Sequence, residues 1–437
     1  MIIAILDTMG TLILGFGSGC FFAMMWRGVR RLKQEGTDLS VQGDAVYERP
    51  GQGRGQDSYH VYAVIPCLNE QTVIASTVRR LLDDADMTVV VVDDASDDNT
   101  THAVQELRSD RVCLVRRELP QARLGKGPAL NAGLTQVRQL AGERGQDRNQ
   151  VIVLVMDADG RLSDGALAEV LPLFDNERIG GVQLGVRIRN RNRNFWTRFQ
   201  DFQFWAMSAI TQLGRAGLGT TSLGGNGQFT RLCALNELGT EPWNASLTED
   251  LDLAISLSLN GWSLTATPYA SVDQQAVETV KALVRQRTRW YQGHMLAGRR
   301  IGEIWGSDHI EARQGLEISA YLGIPWVLDL PWSIMWHYFV IAMIWRWNQA
   351  LVFSQDRVSL LLLIVVWYLL AFGPSLASAF VYHKRDHTVP MATCLLLSHA
   401  FLITNYVFYF AAWKALLRIL SDQNGWEKTD RANEATA

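Results

Sequence analysis

Apolar residues crowd the two ends of this chain and polar ones its middle. Residues 2–26 are almost wholly apolar, with Asp7 the only charge, and as a helix would be about 37 Å long, enough to cross a bilayer. The basic cluster Arg27, Arg30, Arg31 and Lys33 follows this run, and no small-residue cleavage site ends it. An uncleaved anchor with its N-terminus outside is expected, leaving the middle of the chain in the cytoplasm of a plasma-membrane protein. Further apolar stretches lie at 318–345, 358–381 and 391–413, giving about three C-terminal spans. The first holds Pro325 and Pro331 and reads as an interfacial segment leading into a span.

The polar middle has its own period. Residues 37–58 carry Gly43, Gly51, Gly53 and Gly55 with no apolar repeat, as a linker does. From His60 onward, short blocks of Val, Ile and Leu at 61–65, 87–92, 112–115, 151–156 and 181–186 alternate with helical patterns such as 72–82 and 100–107. Near-continuous apolar blocks suit strands buried on both faces of a parallel sheet, so an α/β layer fold is predicted. The expected division is an anchor at 1–30, a linker at 31–59, a cytoplasmic domain at 60–305 ending in interfacial helices, a membrane region at 306–420 and a polar tail at 421–437.

Composition narrows the function. A net charge of −3 over 437 residues lacks the basic field of a dedicated nucleic-acid binder. Cys20, Cys67, Cys113, Cys233 and Cys394 are scattered without a CxxC pair, which disfavours a disulfide framework and a structural zinc site.

In a parallel α/β sheet, chemistry gathers beyond the carboxyl ends of the strands. Two predicted strands end there in acids, at Asp93-Asp94 and at Asp157-Ala158-Asp159. Asp157 and Asp159, two apart in extended chain, can converge on a hard cation such as Mg²⁺ or Mn²⁺ whose shell substrate phosphates complete. The plainer alternative is that they cap a turn. Downstream, Ser246 and Glu249 have capping-box spacing at a helix start, the plainer reading, while a carboxylate of 249–252 could instead be a general base at the mouth of a site. Gln286, Arg289 and Trp290 share a helical face, with Arg suited to phosphate and Trp to a sugar ring; an amphipathic helix on the membrane surface would share that pattern. Arg187, Arg189, Arg191 and Arg193 read as a solvated or headgroup-facing loop. Asp329, in an apolar segment, is expected to face protein or water.

Taken in order, Asp94, Asp157-x-Asp159, Thr248-Glu249-Asp250 and Gln286-x-x-Arg289-Trp290 resemble the membrane-embedded family 2 glycosyltransferases of GT-A fold. The processive members of that group make chitooligosaccharide, poly-N-acetylglucosamine, hyaluronan and cellulose. Ile65-Pro66-Cys67-Leu68-Asn69-Glu70 looks like the first-strand motif, residues 125–133 like the GKxxALNxG segment, and residues 224–228 occupy the place of the acceptor-side loop. The resemblance covers roughly residues 60–295.

It implies an α/β GT-A glycosyltransferase domain with α-helical transmembrane segments around it. The donor would be a nucleotide sugar, with a UDP-sugar expected. Asn69, Glu70 and Asp94 would meet the nucleoside, while Lys126 and Arg289 would neutralise the diphosphate. Asp157 and Asp159 would hold Mg²⁺ or Mn²⁺, Asp157 also lying against the donor. Asp250 would deprotonate the acceptor, and Glu249, Gln286 and Trp290 would bind it. Extension of a β-linked glycan, coupled to export, is the first functional expectation, with any accessory export partner unspecified. The chain lacks the FxVTxK-like loop and the cyclic-di-GMP domain of cellulose synthases. Ceramide glucosyltransferases share much of the motif set yet add one sugar, so transfer to a membrane lipid is the second expectation. A catalytically silent scaffold is the third.

Overall fold

The computed structural model describes residues 2–34, 58–84, 86–345 and 357–423. Most of the expected linker and all but 421–423 of the expected tail lie outside the described residues.

The middle of the chain builds an eight-stranded sheet. Its strands are β1 (His60–Cys67), β2 (Met87–Asp93), β3 (Val112–Arg116), β4 (Val151–Val155), β5 (Arg161–Leu162), β6 (Ile179–Ile188), β7 (Gln228–Arg231) and β8 (Ser263–Gln274), in the order β3-β2-β1-β4-β7-β6-β8-β5. Strand residues alternate between faces, and here both faces are apolar. Ala63, Ile65, Val89, Val91, Ile152 and Leu154 pack with Ile74, Val78 and Leu81 on one side. Val64, Val90, Val92, Val153 and Val155 pack with Leu130, Leu134 and Leu253 on the other. The result is the expected sheet between helical layers.

The sheet is mixed rather than wholly parallel. β3, β2, β1 and β4 run parallel, and so do β6 and β8, but β7 is antiparallel to both β4 and β6, and β5 to β8. β7 escapes a hydropathy reading because three of its four buried positions are polar, Phe229 being the exception: Gln228 donates from Nε2 to Thr230 Oγ1 (3.2 Å) instead of joining an aliphatic block.

Two described helical stretches, Thr8–Gln34 and Val365–Arg385, are long and apolar enough to cross a membrane; Met391–His399 and Phe401–Leu420, bent by 45°, become a third if they form one span. The stretch expected to lead into a span is the helix Ala312–Ile324, a π-turn Pro325–Asp329 and the helix Leu330–Trp345. Asp329 is bonded to the Tyr291 hydroxyl and so faces protein. The N-terminal helix Ile2–Gln34 lies directly against the helix Ala209–Ala216. A Cβ at Gly214 would sit 2.4 Å from the Met24 carbonyl oxygen, so only glycine permits that approach.

Candidate active site

Topology brings the acids together. β1, β2 and β4 run parallel, with Cys67 opposite Asp93 and Val64 opposite Val155, so residues 68–70, 94 and 157–159 emerge at one edge. Because β7 runs the other way beside β4, with Gln228 opposite Val155, its leading loop 224–227 reaches the same edge. The helices Lys126–Glu143, Glu249–Leu259 and Val280–Ala297 close a cleft of about 750 Å³ over it. Glu70, Asp94, Lys126, Asp157, Asp159, Glu249, Asp250, Gln286, Arg289 and Trp290 all line that cleft. Asn69 does not. It holds a turn at φ 55°, accepting from Asp97 N (2.8 Å) and donating from its own N to Ser96 Oγ (2.9 Å).

Lys126 is the hub. Its Nζ donates to Asp157 Oδ1 (2.7 Å) and to the Gly225 carbonyl (2.6 Å), and stands 4.0 Å from Glu249 Oε1. Burial works to lower the Lys126 pKa, but the Asp157 and Glu249 carboxylates outweigh it and the net shift is upward. Glu249 is pushed up to about 7, by burial first and by its neighbour Asp250 second, with Lys126 pulling the other way. Asp250 is raised chiefly by burial, again against Lys126, while Leu251 N donates to its Oδ1 (2.7 Å). Two buried carboxylates against one ammonium give a site whose proton affinity lies above the ordinary carboxylate range.

Glu249 does not close the capping box expected with Ser246. Thr248 is the N-cap of the helix Glu249–Leu259 and makes no side-chain cap bond. The Glu249 side chain instead bonds its own backbone N–H and stands 4.0 Å from Lys126 Nζ.

At the far end of the cleft Asp94 pairs with Arg117 and accepts from Arg123 N (3.0 Å). Burial raises its pKa despite the guanidinium. Neither arginine stands out in the sequence; Arg117 is foreseeable only from register, since β3 sets Arg116 opposite Asp93. Gln183 was equally silent. It accepts from Gly224 N (2.8 Å) and donates to the Asn226 carbonyl (2.8 Å), bracing the loop on which Lys126 leans.

Near the membrane region Trp290 meets Phe204 edge-on at 6.0 Å, with the Arg287 guanidinium 4.3 Å over its ring. Among the described residues Gln286 Oε1 and Thr248 Oγ1 are buried without a hydrogen-bond partner at the cleft wall, acceptors that a bound hydroxyl could satisfy. The arginine run is an exposed loop only towards Arg193, and its start is not. β6 extends through Ile188, so Arg187 is carried inward to pair with Asp201 (3.2 Å) and Asp386, and Arg189 donates to the Asp159 carbonyl (3.0 Å).

Among the described residues no group of three or more His, Cys, Asp or Glu converges on a point. The donor chemistry still fits a hard cation that shares its shell with a substrate. Asp157 and Asp159 sit at one strand end, Asp159 Oδ2 accepts from Gln275 N (3.1 Å), and Asp157 is turned to Lys126.

Gly225 tests how tight the site is. At φ +66°, an added Cβ would lie 3.0 Å from Asp250 Oδ2 and 3.2 Å from Lys126 Nζ. Gly225→Ala is expected to lower kcat by about tenfold or more by misplacing both groups, with a modest fall in thermal midpoint from strain at positive φ. Steady-state kinetics beside a melting curve checks this; unchanged kcat would show that the loop is slack.

Residues 59–293 match the profile of the family described as "glycosyltransferase like family 2". Over 244 residues the chain is 36% identical to the beta-monoglucosyldiacylglycerol synthase of Trichormus variabilis, covering 53% of this chain and 48% of that one. Over 236 residues it is 24% identical to the poly-beta-1,6-N-acetyl-D-glucosamine synthase of Staphylococcus epidermidis, covering 53% of each. The chain thus spans about half the length of these relatives. Among solved structures, the mannosyltransferase PcManGT from Pyrobaculum calidifontis, in complex with GDP-Man and Mn²⁺, shares the fold over 96% of this chain and 99% of its own, with a TM-score of 0.59 at 16% identity.

Proposed function

The chain belongs to the glycosyltransferase like family 2, and we propose that it transfers a single hexosyl group from a nucleotide diphosphate sugar to the hydroxyl of a membrane glycerolipid. The observation that carries this choice is the 36% identity, across the catalytic region, to a synthase named for a monoglucosylated diacylglycerol. Identity to a glycan synthase over the same region is 24%, so glycan extension becomes the second reading.

Displacement at the anomeric carbon builds positive charge on the sugar and negative charge on the leaving diphosphate. Lys126 and Arg289, lining one cleft, would stabilise the second of these where it develops. Asp157 and Asp159 would hold Mg²⁺ or Mn²⁺, which when bound supplies further positive charge to the diphosphate. PcManGT is in complex with Mn²⁺ as well as its donor, which supports this assignment. Asp94, backed by Arg117, would receive the nucleoside with Glu70. Asp250 would take the acceptor proton. With one base and no second nucleophile assigned, a single displacement with inversion follows. Glu249, Gln286 and Trp290 would line the acceptor's approach. Arg27, Arg30, Arg31 and Lys33, closing the N-terminal helix beside the catalytic domain, favour a cytoplasmic site at the plasma membrane.

Purified protein with Mg²⁺ or Mn²⁺, each UDP- and GDP-sugar in turn, and dioleoylglycerol in mixed micelles tests the proposal. The expected result is nucleotide release that needs the metal and the lipid, with one sugar per lipid by mass spectrometry. A long, glycosidase-digestible product made without added lipid would overturn it in favour of glycan extension.

A further inference from the structure

Beside the catalytic cleft lies a second cavity of about 310 Å³, lined among the described residues without a single polar side chain. Met25 and Val29 of the N-terminal helix, Ile210 and Leu213 of the helix Ala209–Ala216, and Ala377 and Phe380 of the helix Arg357–Arg385 form its walls. Leu213 also lines the catalytic cleft, so the two cavities meet at that side chain. Ala209 and Gln212, on the same short helix, face the cleft. The two outer walls belong to the helices long and apolar enough to cross a bilayer. Val29 and Phe380 are both exposed, so the cavity opens outward between those helices.

Its depth is set by charge. Arg27, Arg30 and Arg31 stand within a turn of Met25 and Val29, and Arg31 Nη1 donates to Thr265 Oγ1 (3.0 Å) on β8, tying this end of the helix to the catalytic domain. Basic side chains at a helix end mark the headgroup level, which puts the cavity at the boundary between the headgroups and the acyl region. An all-apolar lining has nothing to offer a glycan. A ligand occupying both cavities must be an amphiphile with a hydroxyl at its polar end.

We propose that this cavity seats an acyl chain of the acceptor lipid and so presents the lipid's hydroxyl to the catalytic cleft. The assignment rests on the lipid-acceptor reading and adds to it where the tail goes.

Two substitutions fill the cavity from different walls, Ala377→Trp and Val29→Trp, neither touching the catalytic groups. In mixed micelles each is expected to raise KM for dioleoylglycerol about tenfold while leaving KM for dihexanoylglycerol, too short to need the cavity, within about twofold. Variants that treat both acceptors as the wild type does would overturn the assignment while leaving the lipid reading intact. A wild type that glycosylates neither diacylglycerol would instead defeat the lipid reading itself. Should a substitution disturb folding, seen as lost activity on both acceptors, binding to the wild type decides. A diacylglycerol with a mid-chain diazirine is expected to label residues 210–213 and 377–381, and excess dioleoylglycerol but not phosphatidylcholine to compete it away. Equal competition by phosphatidylcholine, or labelling elsewhere, would mean that the cavity holds only bulk lipid or none, and the assignment fails.

Discussion

Replacing Asp250 with Asn is expected to reduce kcat by roughly 100- to 10,000-fold, the range for loss of a positioned general base, while donor affinity is kept or improved. Asn preserves the acceptor oxygen to which Leu251 N donates, so the helix start should hold. It removes one negative charge from a cleft that must receive a diphosphate. It also relieves Glu249, whose raised pKa owes its second-largest contribution to Asp250, so Glu249 should titrate lower in the variant. Single-turnover rates together with nucleotide titration separate the two effects. Glu249→Gln is the control. If it costs more than Asp250→Asn, with donor affinity unchanged, the base is Glu249.

Lys126→Met should be nearly as damaging, lowering kcat/KM by on the order of 100- to 1,000-fold, since it strips a preorganised cation from the leaving group. Its pH signature is more distinctive. Lys126 holds down the proton affinity of Glu249 and Asp250, so without it both pKa values rise and the ascending limb of the pH–rate profile moves to higher pH. Stability follows the same linkage. A carboxylic acid whose folded pKa exceeds its unfolded one favours folding below the unfolded value and loses that advantage as pH rises through the folded value. For Glu249 that window runs from the ordinary carboxylate value to about 7 in the wild type, and extends higher in the variant. The gap in thermal midpoint between wild type and Lys126→Met should therefore be narrow near pH 5 and wide near pH 8. A gap independent of pH would show that Lys126 does not govern these acids.

Much of the fold was legible because burial on both faces demands aliphatic blocks. Val61, Val89 and Val151 announce their strands with no help from distant parts of the chain. β7 was not legible, because its buried Gln228 donates to Thr230 in a sheet that only tertiary pairing supplies. The cleft residues were legible through short-range patterns, acids at strand ends and Gln286, Arg289 and Trp290 on one helix face. Their supports were not. Arg117 reaches Asp94 across 23 positions, Gln183 reaches Gly224 across 41, and Lys126 takes the Gly225 carbonyl across 99. Arg187 looked solvated because its partners Asp201 and Asp386 lie in other elements, the second of them 199 residues away.

By itself the sequence determined the aliphatic strands, the apolar helices and the candidate side chains at strand ends and helix faces, since each depends on local period and residue type. The tertiary structure alone decided the reversed strand, the carboxylates gathered on Lys126 and the apolar cavity sharing Leu213 with the catalytic cleft. Those depend on register, desolvation and helix crossing, which are properties of segments far apart along the chain and in contact only once it has folded.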